Sequence, residues 1–391
     1  MTTRTQSIRS LQIGMHWFPE RAGGLDRMYY SLVGALPGAG VQVRGVVAGS
    51  PQVARDSGGA IHGFGPASRA LPWRLIAARH ALRREIERQR PDVISSHFAL
   101  YTFPGLDVTR GIPQVSHFQG PWADESLVEG AATLSQRLKH YLEQTVYERS
   151  SRLIVLSAAF GQILTRRYGI DPERVRVVPG CVDVAQFDVP GTRADARLKL
   201  QLPQGRPIVL AVRRLVRRMG LEDLIDAVKL LKPKHGDVLL LIAGRGRLEG
   251  ELQQRIADAG LEDNVKLLGF VPDAQLASLY RAATLSVVPT VALEGFGLIT
   301  AESLAAGTPV LVTPVGGLPE AVAGLSPDLV LPSTGAAAIA DGIGSALSGR
   351  LRLPDAAACR DYARSHFDNS VIARRVAAVY GEAIETANAV H

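Results

Sequence analysis

The chain has 391 residues, 46% of them hydrophobic and 21% charged, with a formal charge of +7, which fits an ordinary globular protein of two domains and excludes a disordered or fibrous one. Two cysteines, Cys181 and Cys359, are too few for a disulfide framework and stand in no metal-ligand spacing, so both read as structural thiols in a reducing compartment. The positive charge would suit an anionic substrate, lipid or nucleic acid, but 6% aromatic content and the lack of any RNA-binding, zinc-finger or helix-turn-helix pattern argue against nucleic acid.

The opening stretch MTTRTQSIRSLQIGMHWF has no apolar core of the signal-peptide kind, and the longest apolar runs, such as VLLLIAG from Val238, cannot span a bilayer. The expectation is a cytoplasmic protein, peripheral at most to the inner face of the cell membrane. Within residues 1–182, SLQIGMH, VQVRGVVA, PDVISSH, IPQVSHF, SRLIVLS and VRVVPG read as strands alternating with amphipathic helices, the pattern of a parallel sheet. After the first strand, PERAGGLDRMYYSLVGAL sets Gly23 and Gly24 directly before a helix, where a glycine pair serves at least as a turn.

Residues 67–90, ASRALPWRLIAARHALRREIERQR, carry Leu75, Ala78, Leu82 and Ile86 at helical spacing with arginines elsewhere. This is either a helix packed on the sheet with a solvated outer face or a basic amphipathic helix lying on an anionic membrane. In PQVSHFQGPWADES, alternation puts His117 and Gln119 on one face; His117 serves either as a satisfied core residue or as a ligand contact.

Residues 183–206 are polar and read as an interdomain linker, after which PIVLAVR, DVLLLIAG, NVKLLG, TLSVVP and TPVLVT start a second alternating set over 207–365. Ligands of such sheets bind beyond the carboxyl ends of the strands. There AVRRLVRRMGLEDLI offers Arg213, Arg214, Arg217 and Arg218, either a solvated basic loop or an anion clamp. IAGRGRLEGEL spaces Gly244, Gly246 and Gly250 one residue too long for a dinucleotide fingerprint.

EGFGLITAE, residues 294–302, follows a strand and opens a helix that stops at Gly307. Eight helical residues would separate Glu294 from Glu302 by roughly 12 Å and about 80° of rotation. Gly295 and Gly297 would let an anion approach the unpaired N–H groups of the helix N-terminus. The alternative is two ordinary helix-surface acids. Residues 366–391 hold a last helix, SVIARRVAAVYGEAIETA, expected to pack back across the junction.

The run ALEGFGLITAESLAAGTPVLVTPVGGLPEAV resembles the donor-site signature of glycosyltransferase family 4 almost position for position, and the likeness extends over most of the chain. It implies the GT-B fold: an α/β protein of two Rossmann-like domains with parallel sheets facing a central cleft. It also implies a retaining glycosyltransferase moving a sugar from a nucleoside diphosphate sugar to an acceptor hydroxyl, in polysaccharide, glycolipid or glycoconjugate biosynthesis. By that resemblance Glu294 contacts the sugar, backbone N–H groups from Phe296 to Leu298 meet the diphosphate, and Glu302 takes the ribose hydroxyls.

Arg214 matches the family's arginine, while the usual lysine position holds Met219, so Arg218 is the candidate replacement, with Arg213 and Arg217 leaving the assignment open. The family's glycine loop corresponds to Gly23 and Gly24; its usual histidine is Gln119 here, with His117 nearby; Gly244 lies beside the nucleotide and Val271 near the base. Partners implied are the nucleotide sugar and a saccharide or lipid-linked acceptor, with some relatives acting on lipid-linked acceptors at a membrane. No Asp-x-Asp triplet occurs in the chain, so no metal and no other cofactor is expected. Two alternatives stand beside this reading: a sugar-nucleotide epimerase or phosphorylase of the same architecture, and a catalytically silent nucleotide-sugar-binding subunit, which Met219 and Gln119 leave open.

Overall fold

Apolar runs rich in Val, Ile and Leu form two parallel sheets whose central strands are buried on both faces. The computed structural model describes residues 7–21, 23–123 and 133–389. The chain divides into one unit of Met1–Cys181 with Asn369–His391 and a second of Val182–Asp368.

In the first unit β1 (Ile8–His16), β2 (Val41–Ala48), β3 (Ile61–Gly63), β4 (Val93–Ser96), β5 (Gln114–Phe118), β6 (Arg152–Val155) and β7 (Val175–Val177) pair in the order β3-β2-β1-β4-β5-β6-β7. The order reverses between β1 and β4, the switch point of a doubly wound sheet. Tyr29, fully buried on the helix Gly24–Ala35, fits against this sheet because a side chain at Gly14 of β1 or Gly45 of β2 would run into its ring or hydroxyl. The last helix, Asn369–Asn388, belongs to this unit and buries Ile372, Ala373, Val376, Val379, Tyr380 and Ala383.

The second unit orders β8 (Ile208–Val212), β9 (Leu239–Ala243), β10 (Val265–Gly269), β11 (Leu285–Val288) and β12 (Val310–Val312) as β10-β9-β8-β11-β12, with its switch point between β8 and β11. Residues 183–206, expected as a linker, instead fold as part of this unit. They form the helices Val184–Phe187 and Arg193–Lys199, the second started by a capping box between Thr192 and Asp195. Arg197, only 5% exposed, secures them by donating to the carbonyls of Ala282 (2.9 Å), Gln204 (2.7 Å) and Arg206 (3.0 Å). The unit also runs on to Asp368, through the helix Ala356–Phe367, rather than ending at 365.

Among the described residues no helix is long and apolar enough to cross a membrane.

Candidate functional site

At the switch point of the second unit, the segments leaving β8 and β11 lie side by side. Arg213, the first residue past β8, donates through Nη2 to the Thr290 hydroxyl and to Glu294 Oε2, the latter at 2.5 Å. Arg218, on the turn Arg217–Met219, donates to the Leu293 carbonyl at 2.8 Å and accepts from Val291 N–H at 3.0 Å. Two arginines of one loop thus hold the segment 290–294 of the other.

Glycines make that approach close enough. Gly220 has φ +68 and a Cβ there would strike the Pro289 carbonyl; Gly316 has φ +57 and a Cβ there would strike the Glu294 carbonyl. Gly317 N–H donates to that same Glu294 oxygen at 2.9 Å. Leu293, directly before Glu294, is held at φ +53, a conformation a leucine adopts only when its surroundings impose it, as happens at functional sites.

Burial alone would raise the Glu294 pKa. The charge and hydrogen bond of Arg213, with the charges of Arg218 and Arg214, outweigh it and hold the carboxyl below its ordinary value. Glu294 is therefore a carboxylate at neutral pH, able to accept from paired hydroxyls.

Beside it starts the helix Leu298–Ala305, with Gly297 as its N-cap at φ +73. Its N-terminus carries the positive end of the helix dipole, and of its first N–H groups that of Thr300 already donates to the Gly297 carbonyl at 2.8 Å. Thr300, fully buried in the first turn, keeps its hydroxyl without a hydrogen-bond partner, close to where a side chain on Gly297 would stand. A carboxylate, guanidinium groups and a helix N-terminus in one place suit a polyhydroxylated ligand that carries phosphate.

Comparison with known proteins agrees with this geometry. The family description Glycosyltransferase Family 4 matches residues 22–186, and Glycosyl transferases group 1 matches residues 192–366. A D-inositol 3-phosphate glycosyltransferase of Pseudarthrobacter chlorophenolicus is 32% identical over 323 residues, 77% of this chain and 76% of its own. The chain belongs to glycosyltransferase family 4.

A second relative of the same name, from Acidothermus cellulolyticus, is 32% identical over 363 residues, 88% of this chain and 77% of the relative. Two solved structures share the fold. Sucrose-phosphate synthase from Thermosynechococcus elongatus has a TM-score of 0.78 at 23% identity, over 97% of this chain and all (100%) of that one. Anabaena HepE in complex with UDP-glucose has a TM-score of 0.76 at 20% identity, over 96% and 100% of the two chains. The protein is thus a glycosyltransferase of the GT-B fold class.

In this glycosyltransferase the candidate residues do not all lie where the sequence suggests. Arg213, left open before, faces Glu294, whereas Arg214 is exposed and reaches Glu294 through its charge alone. Met219, at the family's lysine position, is buried at 4% exposure. Glu294 precedes the helix instead of sitting on it, so the 12 Å ruler fails; only Leu298 to Glu302 is helical, a rise of about 6 Å. Glu302 is 5% exposed and accepts from the Tyr280 hydroxyl at 3.0 Å.

Gly295 is buried, and Phe296 sets its ring edge-on against Phe367 with centroids 5.1 Å apart. Gly244, at φ +144, packs on backbone: a Cβ there would strike the Arg213 carbonyl, and Arg213 N–H donates to the Ala243 carbonyl at 2.8 Å. Val271 is half-buried just past β10, next to Phe270, which is 57% exposed with the Arg245 guanidinium 6.0 Å from its ring centre.

In the first unit Gly23 and Gly24 open the helix Gly24–Ala35, and Asp26 of its first turn accepts from His16 N–H at 3.2 Å. The reading of His117 as a ligand contact is corrected. Its ring stacks on His97 at 3.9 Å, Nε2 meets Ser95 Oγ at 3.2 Å, and burial lowers its pKa to about 3. It is a neutral core residue. Gln119, just past β5, is half-buried, and its side-chain nitrogen is buried without a hydrogen-bond partner.

Proposed function

We infer that this chain is a retaining glycosyltransferase that takes a sugar from a nucleoside diphosphate sugar and passes it to a hydroxyl of a saccharide, a polyol phosphate or a lipid-linked carrier. The observation that carries the reading is the Arg213–Glu294 pair beside the Gly297 N-cap, at the switch point of β8 and β11. Glu294 accepts from hydroxyls of the transferred sugar. The N-terminus of Leu298–Ala305 and the exposed Arg214, with Arg218 behind it, meet the diphosphate, and Glu302 anchors the ribose.

As the bond to the anomeric carbon breaks, negative charge gathers on the leaving diphosphate. Preorganised guanidinium groups and N–H dipoles stabilise that charge without a metal, one good donor contributing about 3 kcal/mol. A leaving phosphate oxygen accepts the acceptor's proton while attack comes from the same face, which keeps the anomeric configuration. Gln119 cannot change charge near neutrality and serves as a hydrogen-bond donor to the sugar. The curated relatives, named for D-inositol 3-phosphate, support a small phosphorylated polyol among the acceptors, and the UDP-glucose complex of Anabaena HepE supports a uridine donor.

A peripheral membrane contact fits the start of the helix Leu71–Arg88, where Leu71, Trp73 and Ile76 are exposed at 41%, 58% and 48%, with the Arg69 guanidinium 5.9 Å from the Trp73 ring centre.

A panel of UDP-, GDP- and ADP-sugars in thermal unfolding tests the donor, since a ligand at 100 times its dissociation constant adds about 2.7 kcal/mol of stability. Proton NMR of the product's anomeric signal tests retention. Inversion would overturn the mechanism. Donor binding without transfer to any acceptor, with Glu294→Ala leaving a partner's activation intact, would favour a silent subunit instead.

A further inference from the structure

Three arginines of the second unit share a single carboxylate. Asp188 follows the short helix Val184–Phe187; Arg281 stands in the last turn of the helix Asp273–Ala282; Arg360 and Arg364 lie one turn apart on Ala356–Phe367. Arg281 Nη2 is 3.4 Å from Asp188 Oδ1, Arg360 Nε is 3.9 Å from the same oxygen, and Arg364 Nη2 is 3.9 Å from Oδ2. Arg281 also donates to the Gly191 carbonyl at 3.2 Å, and Arg364 to Asp361 at 3.0 Å.

These contacts are loose. A guanidinium that fastens a loop through a carboxylate does so with a tight fork, as Arg255 does on Asp226 in the same unit at 2.9 and 2.6 Å. Around Asp188 the nearest approach is at the limit of a hydrogen bond, and two are beyond it. The side chains of Arg281 and Arg360 are 13% and 24% exposed, yet the buried Nε of Arg281 and Nη1 of Arg360 have no hydrogen-bond partner. Burial first, and then the neighbouring charge of Arg360, lowers the pKa of Arg281. Positive charge is in excess here, and its donors are left over.

A buried charged donor without an acceptor is costly, and a tetrahedral oxyanion would satisfy several such donors from one centre. The cluster is separate from the site at Glu294. Arg360 lies against Gly307, just past the C-terminal end of the helix Leu298–Ala305, whereas Glu294 and Gly297 are at its start.

From this we propose that Arg281, Arg360 and Arg364 around Asp188 form a second anion site of this chain, which takes a phosphate group, either free or as a monoester. Asp188 spaces the three guanidiniums and competes with the ligand for them.

The test is calorimetric titration of inorganic phosphate, and separately of glycerol 3-phosphate, into the full chain, with chloride as the salt control. Arg281→Gln and Arg360→Gln are each expected to weaken one phosphate-binding component at least about tenfold, the worth of one hydrogen bond to a charged group. Arg214→Gln leaves that component unchanged, and Asp188→Asn tightens it by removing the competing acceptor. A response to glycerol 3-phosphate alone assigns the site to monoesters; a response to both assigns it to the phosphate group itself. The proposal fails if the full chain shows no phosphate component, or if Arg214→Gln abolishes it while folded Arg281→Gln keeps it. Where an arginine variant does not fold, Asp188→Asn decides, because it keeps all three guanidiniums: weaker or unchanged binding in that variant refutes the site.

Discussion

Arg213 reaches Thr290 and Glu294 with one guanidinium nitrogen, which ties the loop after β8 to the loop after β11 where the strand order reverses. The two residues act as a unit: the arginine keeps the buried carboxyl ionised, and the carboxylate fixes the arginine beside the helix N-terminus. Arg213→Ala is therefore expected to lower kcat by about 100-fold, roughly 3 kcal/mol, the order of loss when a substrate-positioning group is displaced by about 1 Å. Adding Glu294→Ala should cost little more, since residues that work together are not additive. Steady-state transfer kinetics on the two variants measure this, and full activity in Arg213→Ala would remove the pair from the mechanism.

Gly316 acts through backbone alone. Its φ of +57 and the Glu294 carbonyl pressed against it leave no room for a methyl group. Gly316→Ala should displace Glu294 and reduce turnover at least tenfold, with about 1–3 kcal/mol of strain. Gly317, at φ −85, has an ordinary backbone, so Gly317→Ala is the milder neighbour. Equal activity in both variants would show that the Glu294 loop does not depend on this fit.

The central strands were legible because both of their faces are buried, which forces continuous apolar runs such as Leu239–Ala243 into the sequence. Only β3, the three-residue edge strand Ile61–Gly63, left no such run. The donor signature located Glu294 and the helix start, but not which of two adjacent arginines turns inward. On extended backbone one of the pair must face in and the other out, and Arg213 is 9% exposed while Arg214 is exposed. Residues 183–206 looked like a linker because what ties them to the rest of the unit is an arginine, Arg197, whose Nε donates to the carbonyl of Ala282, 85 positions away. Local composition carries no trace of such a contact. His117 turned on the same kind of information: its stacking partner is His97, twenty positions away.

Glu143 gives the first unit a proton-dependent contact. Its carboxylate accepts from the N–H groups of Trp122 (3.1 Å) and Ala123 (3.3 Å) and from the hydroxyls of Tyr168 (2.9 Å) and Tyr147 (3.4 Å), yet burial dominates and raises its pKa to about 7. From pH 4.5 to 7 the folded chain keeps a proton that the unfolded chain has lost, so this group's contribution falls as pH rises and is level above 7. Glu143→Gln cannot titrate and should flatten that fall, which amounts to roughly 3 kcal/mol in total. The three tryptophans Trp17, Trp73 and Trp122 all lie in this unit, so tryptophan fluorescence during urea unfolding isolates it. An unchanged pH profile in Glu143→Gln would mean the carboxyl is ionised throughout.

The stacked pair His97 and His117 predicts the opposite trend in the same fluorescence measurement. Burial lowers both pKa values, His117 to about 3, and the charge of His117 lowers His97 further. Gln12, Ser95 and Tyr380 close the polar network around the two rings, with the Tyr380 hydroxyl donating to Ser95 Oγ at 2.7 Å and His97 Nε2 within 2.9 Å of Gln12 Oε1. Below pH 6.5 the unfolded chain binds protons that the folded chain refuses, so stability is fully present above 6.5 and is lost as pH falls toward 3. Each histidine contributes a slope of up to about 1.4 kcal/mol per pH unit. His117→Asn should therefore remove one such slope from the unfolding free energy of the first unit between pH 6 and 4, although it lowers stability at neutral pH by losing the ring contact. A variant that keeps the parent's full acid dependence would place the titrating groups elsewhere, because an asparagine offers no proton to bind at that position.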